Sequence, residues 1–352
     1  MAKRKATPKV SPTKRTKTVP PPSLEELEKV FGPLQEANRA LRDLNRPQRI
    51  VAPRTTVEEL KAMAARLGYD PRALEEAEAR YHAELLRLAD ERHAQAIKQS
   101  ASVKERLGGA ARAWTKGLQA VATVGDTISR FLLDRPLFIS HSKGLTLDQS
   151  TIAPHNSTVK LHYHFVEPSP RGSSNESVSF LFHWVNPSPN TVTITADGYM
   201  VLNGTTRAVV NGFWPITESS RTTSFSLYTT LGVAALWTSP PTSVGGGLEQ
   251  PVFVEVQTSG VPFVGYQHSA AVTTDVFKGV DVLTGQLAGV PLPPPQPIRV
   301  PANAAVALQL FMDIQTDVEG GSVDIDFSRG AFNVMTPGIL ITSLSSVPVV
   351  TV

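Results

Sequence analysis

Residues 158–166 read TVKLHYHFV, in which Val159, Leu161, Tyr163 and Phe165 alternate with Thr158, Lys160, His162 and His164. A period of two sends successive side chains to opposite faces of an extended chain, so this stretch predicts a half-buried β-strand. Runs of the same kind occur at 177–185, 191–196, 223–229, 251–257, 304–314 and 322–327, separated by Pro, Gly, Asn and Ser. About ten short strands at that spacing predict a mainly β fold, a jelly roll or β-sandwich, over residues 136–352. Two stretches read as loops: 239–249, with Gly245, Gly246 and Gly247, and 290–297, with Pro293, Pro294 and Pro295 in extended polyproline form.

Upstream of Pro136 the period is helical, and residues 23–135 read as an α-helical region. Ser23 with Glu26 and Thr56 with Glu59 match capping boxes, each opening a helix. Pro33 is expected to restart a helix running to about Asn45, and Gly68 to stop the second. Asp70 followed by Pro71 reads as the cap and first residue of a charged helix to about Ser100. From 103 to 133, Leu107, Ala111, Trp114, Leu118, Val121, Gly125, Ile128 and Leu132 are spaced by alternating fours and threes, a heptad seam that predicts a helical hairpin or coiled coil. The same stretch, with Trp114 and Phe131 on an apolar stripe and Arg112 and Lys116 elsewhere, also has the makings of a membrane-active helix.

Residues 1–22 hold Lys3, Arg4, Lys5, Lys9, Lys14, Arg15 and Lys17, no acid, and prolines at 8, 12 and 20–22. Nothing there can bury apolar surface, which predicts a disordered basic arm. Charge is unevenly divided along the chain as a whole. Of 34 Lys+Arg and 31 Asp+Glu, 27 and 18 lie at or before Ser150, so the first part carries about +9 and the remainder about −6. The last 202 residues hold 20 charges. Such depletion marks surface destined for contact with other subunits, or a surface built of Ser, Thr and Asn.

Cysteine is absent, which removes disulfides and zinc-thiolate sites. The N-terminus lacks the apolar stretch of a signal peptide, and no run of about 18 apolar residues provides a membrane span. Phosphate-binding, dinucleotide, nucleophile-elbow and zincin motifs are all missing from the sequence, which points away from an enzyme. The sequons at Asn156, Asn175 and Asn203 read as chance matches in polar loops.

Two clusters could hold a metal. His162 and His164 share one strand face, Glu167 follows, and His183 lies in the expected neighbouring strand. This comes close to the first cupin metal motif, His-x-His followed by Glu, but the second cupin half is not found, and paired histidines on a polar strand face are the commoner arrangement. Asp313, Asp317, Glu319, Asp324 and Asp326 surround Gly320 and Gly321, read as a hairpin turn. There Asp317, Glu319 and Asp324 are candidate Ca²⁺ ligands at subunit contacts, against the alternative of a solvated hairpin tip.

A cationic arm at 3–17, helices, and a charge-poor jelly roll resemble the plan of coat proteins of small non-enveloped viruses. The resemblance implies a non-enzymatic structural protein, made in host cytoplasm and residing in the virion. It would self-assemble into a shell without integral membrane association. The arm cations Lys3, Arg4, Lys5, Lys9, Lys14, Arg15 and Lys17 would then bind packaged nucleic acid without regard to sequence. The alternative is an oligomeric β-sandwich module that recognises a glycan or protein, fibre- or adhesin-like, attached through its helices. An exposed aromatic face formed by Trp184, Trp214 and Trp237 would mark it, whereas core packing is the plainer role for those residues. A cupin-like metalloenzyme would require His162, His164 and His183 to converge.

Overall fold

The computed structural model describes residues 21–43, 56–120, 128–167, 171–214, 220–258, 266–286 and 298–345. The expected disordered arm, apart from residues 21 and 22, lies outside that set, as does the proline stretch at 290–297. The described chain runs through helices α1 (Leu24–Asp43), α2 (Val57–Arg66) and α3 (Pro71–Ala120). Strands β1 (Ile128–Leu133), β2 (Phe138–His141), β3 (Thr146–Thr151), β4 (Ser157–Glu167), β5 (Gly172–Val185), β6 (Val192–Val210) and β7 (Thr222–Ala235) follow. They continue as β8 (Thr242–Gln257), β9 (Ala270–Leu283), β10 (Ile298–Val300), β11 (Ala305–Val318), β12 (Gly321–Asp326) and β13 (Asn333–Ser345).

The strands form two antiparallel sheets. In the larger, β4 pairs with β12 and β13, these pair with β6, and β6 pairs with β9; β1, β3 and β10 extend the edges. The smaller has the order β2, β5, β11, β7, β8. β12 and β13 lie end to end in one slot between β4 and β6, and together act as one strand interrupted at 327–332. Counting that pair as one, and β4, β5, β6, β7, β8, β9 and β11 as the rest, the first, eighth, third and sixth strands make one sheet. The second, seventh, fourth and fifth make the other. This nesting is a jelly roll, and the mainly β sandwich expected from the alternation is the fold observed.

Alternation decides which side chains fill the sandwich. Val159, Leu161 and Tyr163 of β4 meet Phe180 and Phe182 of β5, Ile194, Met200 and Leu202 of β6, and Leu308, Leu310 and Met312 of β11 in one buried cluster. Both outer faces are covered as well. Leu27, Val30 and Phe31 of α1 pack on Leu181, Ala234 and Ala307, where two alanines on neighbouring strands leave room for larger side chains. α3 covers the larger sheet: Ala111 is buried against Val201 and Met335, and Trp114 stacks on Tyr199 with ring centroids 5.3 Å apart.

Several expectations are corrected. The 23–135 region is not a self-contained hairpin or coiled coil, because Leu107, Ala111 and Trp114 of the heptad seam meet strands, and Ile128 and Leu132 of the same seam lie in a strand themselves. The same spacing serves a sheet as well as a helix, since any flat apolar surface can receive one helical stripe. α3 runs unbroken for 50 residues; no proline or N-cap interrupts it at 100–103, and Ser100 Oγ turns back to Ile97 O at 2.6 Å instead of capping a new start. The 103–133 stretch is not one helix: its end is β1, paired with β13, so the β domain begins before 136. Pro33 lies inside α1 and does not restart it; one lost hydrogen bond is offset by the burial of Leu27 and Phe31 on either side of a turn. Most of 239–249 is strand β8, whose Gly247 lies so close to Leu283 O that a Cβ would overlap it. The acidic turn at Gly320 is a crossing between sheets, β11 belonging to one and β12 to the other, and not a hairpin.

The break between β12 and β13 is where α3 seats. Ser100 Oγ accepts from Ala331 N at 3.1 Å, and Asn203 Nδ2 donates to Ala331 O at 2.9 Å and to Ser100 O at 3.4 Å. Gly330 has φ +57°, and a Cβ there would meet Ile97 Cγ2 at 3.0 Å. Replacing Gly330 with Val therefore combines left-handed strain with a clash against the helix, and should cost about 2–3 kcal/mol in urea unfolding, with Gly330→Ala costing about 1. Equal, small effects of both changes would contradict this seating.

Candidate functional site

The outward-facing residues of β6, from Asp197 through Tyr199, Val201, Asn203 and Thr205 to Arg207, form the floor on which α3 lies. Polar pairs succeed one another along the helix. Near its start, Glu75 takes Lys61 at 2.6 Å and the Trp214 indole N–H at 3.0 Å. Glu78, 5% exposed, accepts from Ser269 N at 2.7 Å and lies 2.8 Å from His268 Nδ1. A buried carboxylate requires such partners, because an unpaired one would cost several kcal/mol. Farther along, Arg207 reaches Asp90 at 2.7 Å. His93 lies with Nδ1 2.7 Å from Thr205 Oγ1 and Nε2 3.2 Å from Asp326 Oδ2. At the far end Trp114 Nε1 donates to Asp281 Oδ1 at 3.3 Å.

The sequence candidates are partly gathered here. His162 Nε2 and His164 Nδ1 lie 3.1 and 3.2 Å from the same oxygen, Asp324 Oδ2, with their rings nearly parallel. His183 does not join them: it sits on β5 in the other sheet, opposite Ala307. Among the described residues no group of three or more His, Asp or Glu has the arrangement of a metal site. The acidic candidates are likewise dispersed. Asp317 is held by Arg171, whose Nε donates at 2.7 Å and whose Nη2 makes a second bond. Glu319 accepts from Thr222 N at 3.2 Å and lies 3.5 Å from Arg171, while Asp324 serves the histidines. Trp184 is in the core against Phe131, Trp214 is buried against Tyr266, and Trp237 is 36% exposed beyond β7, so the three share no face. The arm cations Lys3 to Lys17 lie outside the described residues.

The network sets its own ionisation. His162 is raised above the usual imidazole value, chiefly by its hydrogen bond to Asp324, against the opposing effect of burial. Burial alone would raise Asp324, but the His162 hydrogen bond and the charges of His162, Arg207 and His164 hold it low. Asp326 overcomes the same burial through His93, Ser328 and the Arg329 backbone and falls to about 2. Asp197 goes the other way: burial, then the hydrogen bond and charge of neighbouring Asp281, push it up to about 9. His183 is lowered by burial.

No protein-family model and no curated protein matches this chain. Among solved structures, TmCBM61 in complex with β-1,4-galactotriose, a carbohydrate-binding module, is similar at 8% identity, over 58% of this chain and 86% of that one, with a TM-score of 0.17. A likeness that slight carries no argument about function.

These shifts fix how stability varies with pH. His162 contributes fully below about 6.5 and loses its contribution as pH rises through its folded value. Asp324 and Asp326 contribute fully above about 3.9 and lose it only as pH falls through their lowered values. Asp197 is protonated in the fold but ionised in the unfolded chain from about pH 4 to its folded value, so stability declines with rising pH across that interval. The urea midpoint should therefore be highest near pH 4 and fall from there toward pH 9, with the His162 loss adding to the decline above about pH 6.5. Asp197→Asn, neutral throughout, should flatten that decline, and a variant whose pH profile parallels the unmodified protein would show that Asp197 is not the titrating group.

Proposed function

We propose that this protein is a structural shell subunit that packages nucleic acid, with the arm cations Lys3, Arg4, Lys5, Lys9, Lys14, Arg15 and Lys17 neutralising the enclosed phosphates. The observation that carries the reading is the division of the chain. A strongly basic arm with no acid precedes a jelly roll whose last 202 residues hold only 20 charges. The jelly roll is an architecture used by capsid domains, and also by lectins and cupins. The cation-rich arm separates the first of these uses from the other two, which have no need of a polyanion-binding tail.

The surface of the β body favours repeated contact with other copies. Edge strand β8 carries Phe253, 60% exposed, and Val244, while Val166 and Leu344 are exposed on strands of the other sheet. Such residues on strands near an unpaired edge are suited to lateral association. Many modest interfaces, each with little like-charge repulsion, would let a shell close and reopen without any one contact being strong. No helix among the described residues is long and apolar enough to cross a membrane. No residue is assigned a catalytic role.

Full-length protein purified under native conditions should form closed particles in negative stain, with absorbance at 260 nm exceeding that at 280 nm. Replacing the seven arm cations with Gln should leave particles or subunits that carry far less nucleic acid. A small, nucleic-acid-free oligomer from both proteins would overturn the shell reading and favour an oligomeric binding module.

A further inference from the structure

We infer that the C-terminal half of α3 is a second nucleic-acid contact, through Lys98, Lys104, Arg106, Arg112 and Lys116, and that the helix-covered face of the larger sheet is the side turned toward the packaged polymer. The inference deepens the shell reading and rests on it for the identity of the polymer. Its own basis is the charge and geometry of the helix.

The two halves of α3 differ in character. From 72 to 91 it carries Arg72, Arg80 and Arg87 against Glu75, Glu76, Glu78, Glu84, Asp90 and Glu91. These are largely spent on one another or on the sheet: Arg72 with Glu76, Arg87 with Glu84 and Glu91, Glu75 with Lys61, Asp90 with Arg207. From 92 to 116 the balance reverses, with Arg92, Lys98, Lys104, Arg106, Arg112 and Lys116 against Glu105 alone. Arg92 lies 3.9 Å from Asp275. Among the described residues the other five cations have no carboxylate within ion-pair distance, and all five are exposed.

The helix can turn these cations outward because its inner stripe is committed elsewhere. Ala96, Ser100, Val103 and Ala111 are buried, with Leu107 and Trp114 beside them, at the spacing of one helical face. At 3.6 residues per turn, Lys98, Arg112 and Lys116 fall opposite that stripe, with Lys104 and Arg106 flanking. From Lys98 to Lys116 the ridge spans roughly 27 Å at 1.5 Å per residue, a length over which duplex nucleic acid presents about 16 charges. Cations strung along a rigid, open ridge match a repeating anion better than a single phosphate, which calls for donors converging in a pocket. A membrane surface fits poorly, because among the described side chains no large apolar residue is exposed on this half of the helix, the nearest being Leu88. The aromatics are occupied too, Trp114 with Tyr199, so bases would not be stacked and binding would be independent of sequence.

The test uses the full chain in three forms: unmodified, with the five helix cations replaced by Gln, and with the seven arm cations replaced by Gln. Each is titrated with a labelled single-stranded oligonucleotide across a salt series. The slope of log affinity against log salt should weaken by about 3.5 in the helix variant, at roughly 0.7 per phosphate released. An unchanged slope and affinity would overturn the inference. A weakened slope without closed particles in any form would sink the shell reading while leaving the ridge in place. A readout on the unmodified protein guards against misfolding of the variant: Lys98, Lys104 and Lys116 should be shielded from amine acetylation by the oligonucleotide and exposed again at high salt. Equal labelling with and without oligonucleotide would also overturn the inference.

Discussion

The docking of α3 along β6 is the contact on which the rest of the molecule depends. β6 is the longest strand, at 19 residues, and joins β9 and β10 on one side to β12 and β13 on the other. Its inward residues belong to the sandwich core and its outward ones support the helix, so it is buried on both faces along most of its length. A strand in that position cannot shift register by one residue without bringing Asn203 to the place of Leu202 and Thr205 to that of Gly204, which would place polar groups in the core. The helix in turn fixes where the neighbouring strand slot breaks, through Ser100, Ala331 and Asn203. Helix and sheet are thereby one body, and the smaller sheet has α1 in the corresponding outer position.

The cost of this arrangement is polar surface brought into a helix–sheet interface, and it is met residue by residue. Glu78, Asp326 and Asp324 each keep a histidine at hand, and Asp197 keeps a proton in place of a partner cation. The result is an interface in which each of these buried acids has a local answer, a histidine for three of them and a retained proton for the fourth. In a protein proposed to enclose a polyanion this has a physical consequence. The helix whose inner side is pinned by these pairs carries the exposed cations of its second half on its outer side, so the docking that fixes the fold also fixes the direction in which those cations point.

The fold was largely legible in the sequence, and the reasons are specific. Strict alternation at 158–166 and in the runs that follow can be satisfied only by strands with one buried face, and both capping boxes, Ser23 with Glu26 and Thr56 with Glu59, form as read. What could not be read was the partner of the α3 stripe, because alternating threes and fours look alike whether a helix or a sheet receives them. Glycine misled. Gly245, Gly246 and Gly247 looked like a loop but lie in a strand where backbone and side chains approach closely. Of the site, the adjacency of His162 and His164 was visible, whereas Asp324 as their common partner depends on pairing between strands over 150 residues apart. The cationic bias of 92–116 was present in the sequence and was obscured by the balanced charge of the helix as a whole.

The measurement that bears most directly on the account is hydrogen exchange of backbone amides in the intact protein, read along α3 and β6 together. If α3 is an integral layer of the β body, amides from about 93 to 111 should be protected to nearly the same degree as those of β6 and should open with them on addition of denaturant. Exchange of α3 at the rate of a free helix, with β6 still protected, would contradict the account, since the helix would then be an appendage and the cationic ridge would have no fixed face.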